Sequence, residues 1–281
     1  MAAPTVLPWR GPAGARPPVA LPLPGGGRRM PMVRGGRPLK SWRWVGCFGP
    51  EVMLCAASAR IGPARVSWWA VWDREQRTLA EHTVHGRGGV RLDGSRVVVR
   101  DGPVRIDLTL DESEVEGIDT VSPHGSEYAW TRKRGGVRMR GSVSIADRRL
   151  PVDARGVVDD SAGYHARHTA WRWSAGVGTS VSGAAVAWNL VDGLHDDPRA
   201  SERTVWVDGV AHEVPPVEFA GDLSSVGGLR FAQEAARSRR ERLVVVASDY
   251  EQPFGTFTGE LAVAGRLREG FGVMERHSAT W

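Results

Sequence analysis

From residue 42 onward the chain is divided into short runs in which apolar and polar positions alternate, each closed by a turn signal. A period of two sends successive side chains to opposite faces of a strand. Runs at 66–72, 97–99, 106–110, 137–145, 184–190, 205–207, 210–214, 243–248 and 254–261 therefore predict strands. Asp101-Gly102 sits between two of them and Asp208-Gly209 between two others, while Leu92-Asp93-Gly94-Ser95 supplies a further turn. Asp-Gly suits a hairpin because a type I′ turn needs φ > 0 at both central residues. The pattern predicts an all-β, antiparallel meander with few helices. Residues 229–242 have helical composition at Gln233-Glu234-Ala235-Ala236 but no apolar stripe, which leaves a helix or a polar strand pair. Residues 111–127 are acidic, contain Pro123 and Gly125, and read as a long connection.

Before residue 39 the texture is different. Half of the 18 prolines and the run Gly25-Gly26-Gly27 lie there, a composition that keeps neither helix nor ladder hydrogen bonds. Residues 1–38 are expected to be a partly disordered lead-in, ordered at most from Leu21 onward as an arm across the domain. The remainder divides into an N-terminal half, 39–155, and a C-terminal half, 156–281. Trp42-Arg43-Trp44-Val45-Gly46 is echoed by Trp171-Arg172-Trp173-Ser174-Ala175-Gly176, a weak internal repeat at about the spacing of one barrel.

Composition narrows the function classes. The net charge is +5, with Lys40 and Lys133 as the only lysines. The arginines are scattered, apart from Arg132-Lys133-Arg134 and the stretch 237–242, and a scattered pattern is a solvated surface rather than a phosphate-binding face. Nucleic acid is thus not an expected partner. Cys47 and Cys55 sit in apolar runs without metal or disulfide spacing. No run approaches the roughly 18 apolar residues of a bilayer span, and no secretory leader is evident. These features predict a reduced, cytoplasmic protein without a transmembrane segment. Nothing specifies an oligomeric state. Gly86-x-Gly88-Gly89 and Gly176-x-Gly178 lack the Lys-Ser/Thr and the strand–turn–helix context of a phosphate loop, so no cofactor is expected.

Chemistry concentrates in residues 159–173, which hold Asp159, Asp160, Ser161, Tyr164, His165, His168, Trp171 and Trp173. Asp160, His165 and His168 are the candidate catalytic groups. Here a carboxylate or imidazole can protonate an apolar substrate lying against Trp171 and Trp173, whose ring faces attract a developing cation. His165-x-x-His168 with Asp160 offers three metal donors, but on a strand the two histidines face opposite sides, and no metal is expected. Ser161 lacks a nucleophile elbow. The competing reading is a structural junction, because Asp and Ser before Gly are turn chemistry.

Tyr164, Trp171, Trp173, Trp188 and Asn189 are the candidate ligand contacts. Asn189 on an apolar strand either orients a ligand or caps a bulge. The chain holds 12 tryptophans, and buried indoles are more often core than ligand contacts. Trp68 and Trp72 share one strand face and Trp69 takes the other, so one face packs a core and the other can line a cavity. Asp192, His195, Glu202-Arg203 and Met274-Glu275-Arg276-His277 are further polar candidates. Glu275 and His277 share a face if the last segment is a strand.

The motifs DDSAGYHARHTAWRWSAGVG (159–178), WNLVDGLHD (188–196), SERTVWVDG (201–209), QPFGTFTGEL (252–261) and GFGVMERHSATW (270–281), with FGPEVMLCAASARIGPARVSWWAVWDR (48–74), resemble a bacterial family known as domain of unknown function 2804 (DUF2804). The resemblance runs from about Leu21 to Trp281 and implies no activity. A looser likeness, resting on an acidic, Gly- and Trp-rich junction, is to tandem lipocalin-like proteins such as carotenoid hydratases and tocopherol cyclase. It implies two antiparallel lipocalin-like β-barrels or sandwiches in tandem. Together these readings predict a protein that binds a lipid-like or isoprenoid-like hydrophobic ligand in a Trp-lined cavity. The alternative is a hydratase, cyclase or isomerase that uses an Asp/His acid, and a minor alternative is an Arg-rich nucleic-acid binder.

Overall fold

The alternating runs form strands, and the strands pair antiparallel. A computed structural model describes residues 7–86, 88–242 and 247–280, and no helix occurs among them. The lead-in contributes β1 (Trp9–Pro12) and the small ribbon of β2 (Val33–Arg34) and β3 (Arg37–Pro38). Then follow β4 (Lys40–Phe48), β5 (Val52–Ile61), β6 (Ala64–Asp73), β7 (Thr78–His85), β8 (Val90–Asp93), β9 (Arg96–Asp101), β10 (Val104–Asp111), β11 (Ile118–His124), β12 (Glu127–Ile145) and β13 (Arg148–Gly163). They make one sheet in the order β7-β6-β5-β4-β13-β12-β10-β9-β8, with β11 on β12 and β1 on β11. The sheet curls until β8 lies against β5 and β6.

The second sheet takes β14 (His168–Ser180), β15 (Ala185–Asp192), β16 (Thr204–Val207), β17 (Val210–Glu213), β18 (Ser225–Val226), β19 (Leu229–Arg242), β20 (Ala247–Leu261) and β21 (Gly265–Thr280). Its order is β17-β16-β15-β14-β21-β20-β19-β18. The chain leaves the first sheet at Gly163 and enters the second at His168. Residues 155 and 156, the expected meeting point of the halves, lie inside β13.

Asp208 (φ 48°) and Gly209 (φ 83°) both take the left-handed conformation between β16 and β17, as a type I′ turn requires. At the other Asp-Gly only Gly102 (φ 51°) does so, because Asp101 pairs with Val104 and the turn from β9 to β10 is Gly102-Pro103. Residues 229–242 resolve to the strand β19, because with no apolar stripe they have no helix face to bury. A bulge between Gln233 and Ala235 breaks their extended alternation, so Leu229 enters the core of the second sheet and Arg237 turns to the opposite face, toward the first sheet. The acidic stretch 111–127 is not wholly a connection: the β-branched run Ile118 to Val121 pairs with β12 as β11. Of the strand expected at 243–248, residues 243–246 lie outside the described residues, as do 1–6 of the lead-in. From residue 7 the lead-in is laid against the first sheet, with Leu23 and Met30 buried beside Tyr128, Trp130 and Tyr164.

Three apolar clusters follow from the two-fold period. Val45, Cys47, Leu54, Trp69, Ile106 and Met139 fill the inside of the first sheet. Val186, Trp188, Val205, Phe257 and Met274 fill the second. The opposite faces of the same strands, through Trp44, Phe48, Met53, Trp72, Trp173, Trp206 and Phe254, pack between the two sheets. Burial on both faces explains why β4, β5 and β15 are nearly continuously buried. The indoles of β6 divide accordingly: Trp69 joins the inner core, whereas Trp68 and Trp72 face the second sheet. The sheets approach closely at Gly135, where an added Cβ would lie 2.3 Å from the Trp206 ring.

Candidate functional site

The space between the sheets is not completely filled. A cavity of about 190 Å³ remains, larger than the ~150 Å³ apolar void that accepts a benzene, and its wall comes from both sheets. Strand register decides which side chains reach it. On β4 the alternate residues Lys40, Trp42 and Trp44 face the cavity; on β14 they are Trp171 and Trp173. Glu275 and His277 share a face of β21, opposite Trp173 and Trp171 in the β14 pairing, and Tyr250 of β20 pairs with His277. The more exposed lining residues Arg60, Ile61, Val66, Arg239 and Glu241 occupy neighbouring strand ends and form a rim.

Two polar groups are built into this greasy wall. In the first, Lys133 Nζ lies 2.7 Å from Asp159 Oδ1 and 3.2 Å from Glu202 Oε1, with all three side chains buried. Trp42 Nε1 donates to Asp159, and Thr131 donates to Glu202. Burial alone would lower the Lys133 pKa, but the two carboxylates outweigh it and raise it. Burial also raises the Glu202 carboxyl against the pull of Lys133.

The second group centres on Glu275. Its carboxyl accepts from Trp171 Nε1 at 2.8 Å and from Gln252 Nε2 at 2.7 Å. Burial pushes it up to about 7, despite those two hydrogen bonds. His277 accompanies it, its ring 4.3 Å from that of Trp171 and its Nε2 2.9 Å from Ser248 Oγ. Burial holds its pKa down to about 4. Arg237 lies over the rings of Trp68 and Tyr250 and pairs with Glu81. The buried indole nitrogens of Trp44 and Trp68 have no hydrogen-bond partner among the described residues.

Of the residues singled out in the sequence, the structure brings Trp68, Asp159, Trp171, Trp173, His195, Glu202, Glu275 and His277 to the cavity. Asp160 is outside it, ion-paired with Arg43 at 2.7 Å, because it is one residue out of phase with Asp159. His168 is exposed and hydrogen-bonded to Thr280. Tyr164 is buried under the lead-in, donating to the Pro31 carbonyl. Trp188 fills the core of the second sheet and donates to Ser174 Oγ. Asn189, on the opposite face, stands behind the wall: its Oδ1 accepts from Trp173 and its Nδ2 donates to the Glu202 carbonyl. His165 is buried with His124 and His195, and only His195 of the three lines the cavity. Glu275 and His277 were legible as face-sharing residues; Lys133 gave no signal beyond its rarity as a lysine.

A family model described as a domain of unknown function, DUF2804, matches residues 79–281. The motif at 48–74 precedes the matched residues. No curated protein matches the chain. Among solved structures, kievitone hydratase from Nectria haematococca is similar in fold at 11% identity and a TM-score of 0.57, over 84% of this chain and 88% of that one. An AttH candidate from Nitrosomonas europaea aligns at 12% identity and a TM-score of 0.49, over 92% of this chain and 99% of that one.

Proposed function

We propose that this chain, which belongs to the DUF2804 family of domains of unknown function, binds a small hydrophobic, unsaturated molecule between its two sheets and transfers a proton to it from Glu275. The observation that carries the reading is the Glu275 carboxyl, buried in an indole-walled cavity with its pKa raised to about 7. A carboxyl with a pKa near ambient pH is available as acid and as base in one cycle.

The step balances with water alone. The Glu275 proton bonds to one carbon of a double bond, using its π electrons, and leaves a cationic centre on the neighbouring carbon. The faces of Trp171 and Trp173 attract that charge, by about 0.5–2 kcal/mol per ring. The carboxylate then recovers a proton, either from a water adding to the cation or from an adjacent carbon. The first outcome is hydration and the second isomerisation. This reading takes Glu275 as the acid in preference to Asp160, which is held by Arg43, or His165, since neither of those lines the cavity. A hydratase on a similar fold is consistent with this chemistry, although fold alone does not assign it.

A ligand-carrying role without turnover is the second reading. The unpartnered Trp44 and Trp68 indole N–H groups favour it, since they suit a hydroxyl or carbonyl on a lipid-like or isoprenoid-like ligand. Geraniol supplied in D2O separates the two. Native mass spectrometry should find it bound to wild type and to Glu275→Gln, with deuterium entering carbon positions only in the wild type. Binding without deuterium uptake overturns proton transfer and leaves carriage; failure to bind geraniol or farnesol overturns both.

A further inference from the structure

Three imidazoles from separate segments converge where the chain passes from one sheet to the other. His124 ends β11, His165 lies in the link 164–167, and His195 follows β15. Ring centroids are 5.0 Å apart for His124 and His165, 5.5 Å for His124 and His195, and 6.0 Å for His165 and His195. One nitrogen from each ring lies within 4.8 Å of the other two. All three side chains are buried.

Buried polar atoms are normally paired; these are not. Both nitrogens of His165, both of His195 and Nε2 of His124 lack a hydrogen-bond partner among the described residues. The Gly163 carbonyl lies near the His165 ring without a well-formed bond. His195 is also held in the left-handed region, at φ 52°, its carbonyl fixed by the Glu202 N–H at 2.9 Å. Five unspent nitrogens in one buried spot point to a missing partner that accepts nitrogen lone pairs.

We propose that His124, His165 and His195 form a binding site for one divalent cation of the zinc class, at the seam between the sheets and beside the cavity. Imidazole nitrogen suits zinc and its late first-row neighbours, whereas calcium and magnesium require oxygen. Arg37, Lys40 and Lys133 stand near the rings, so a cation here must be held by strong nitrogen donors and not by the surrounding charge. Burial keeps the three rings neutral, so each has a lone pair to offer without losing a proton to solvent. Nitrogens about 2.0–2.1 Å from a tetrahedral zinc stand ~3.3 Å apart, so loading turns the rings inward by about an ångström. It also breaks one bond: His124 Nδ1 accepts the Ala166 N–H at 3.3 Å, and coordination through Nε2 moves the ring proton onto Nδ1. Three protein donors leave the fourth position for water or a ligand atom. The ion would tie β11 of the first sheet to the β15 loop of the second. This site does not depend on proton transfer by Glu275.

The test is titration of chelator-treated full-length protein with Zn2+ and Co2+. One ion per chain should bind, with the visible absorption of tetrahedral Co2+ and a raised thermal midpoint. His124→Gln, His165→Gln and His195→Gln should each weaken binding by about tenfold or more, and the exposed His168→Gln should not. Wild-type protein that takes up no stoichiometric Zn2+ overturns the proposal, whatever the variants do. So does full retention of binding in all three cluster variants, or a thermal shift with inorganic phosphate and none with Zn2+.

Discussion

Trp44 and Trp173 meet edge to face between the sheets, their ring centroids 5.0 Å apart and their planes at 87°. They are the matching residues of the two Trp-Arg-Trp motifs. The arginines of the motifs turn the other way, Arg43 to Asp160 and Glu112 and Arg172 to Asp192. The sequence echo is thus a physical pairing: each motif lays both of its indoles on the shared cavity and turns its guanidinium to outer carboxylates.

That contact should be costly to remove. Trp44→Ala and Trp173→Ala should each destabilise the protein by about 3–5 kcal/mol in denaturant titrations. The double variant should lose less than the sum, by about 0.5–1.5 kcal/mol, because both substitutions delete the same edge-to-face pair. Strict additivity would mean that the rings do not couple.

Lys133 serves two buried carboxylates. Lys133→Met should cost about 3–5 kcal/mol by leaving them without a counter-charge. Combining it with Asp159→Asn and Glu202→Gln should restore much of that loss, as read by thermal unfolding. A triple variant no more stable than Lys133→Met would show that shape, not charge, governs this cluster.

Gly135 leaves no room for a side chain against Trp206. Gly135→Ala should destabilise by about 1–3 kcal/mol through overpacking. Adding Trp206→Leu should make the alanine less harmful than it is in the wild-type background. Equal penalties in both backgrounds would place the strain elsewhere.

Glu275 should leave a pH signature. Its folded pKa of about 7 lies above the ordinary 4.5, so the folded state binds more protons than the unfolded state between those values. Its contribution to stability is therefore complete below about pH 4.5 and is lost as pH rises through 7. Glu275→Gln should flatten the fall in unfolding free energy across that window. An unchanged slope would mean that other groups produce it.

The strands and hairpins were legible because their signals are local: Asp208-Gly209 needs only its own φ angles, and Glu275 and His277 need only a period of two. The division of Trp68, Trp69 and Trp72 was legible as two faces, although which face met the second sheet depends on long-range pairing. β11 was obscured by Pro123, which sits at a hairpin end where its missing N–H costs little. Trp188 and Asn189 are adjacent in sequence, yet the strand period sends one to a core and the other behind the cavity wall. His124, His165 and His195 are distant in the chain, and only the sheet topology brings them together.

Proton transfer in the cavity requires that Glu275 be protonated near neutral pH. Carboxyl titration by difference infrared spectroscopy, comparing wild type with Glu275→Gln, reads it directly. One carboxylic acid band should titrate near pH 7, vanish in the variant and shift when geraniol binds. Loss of every acid band by pH 5.5, with no difference between the two proteins, would contradict the assignment.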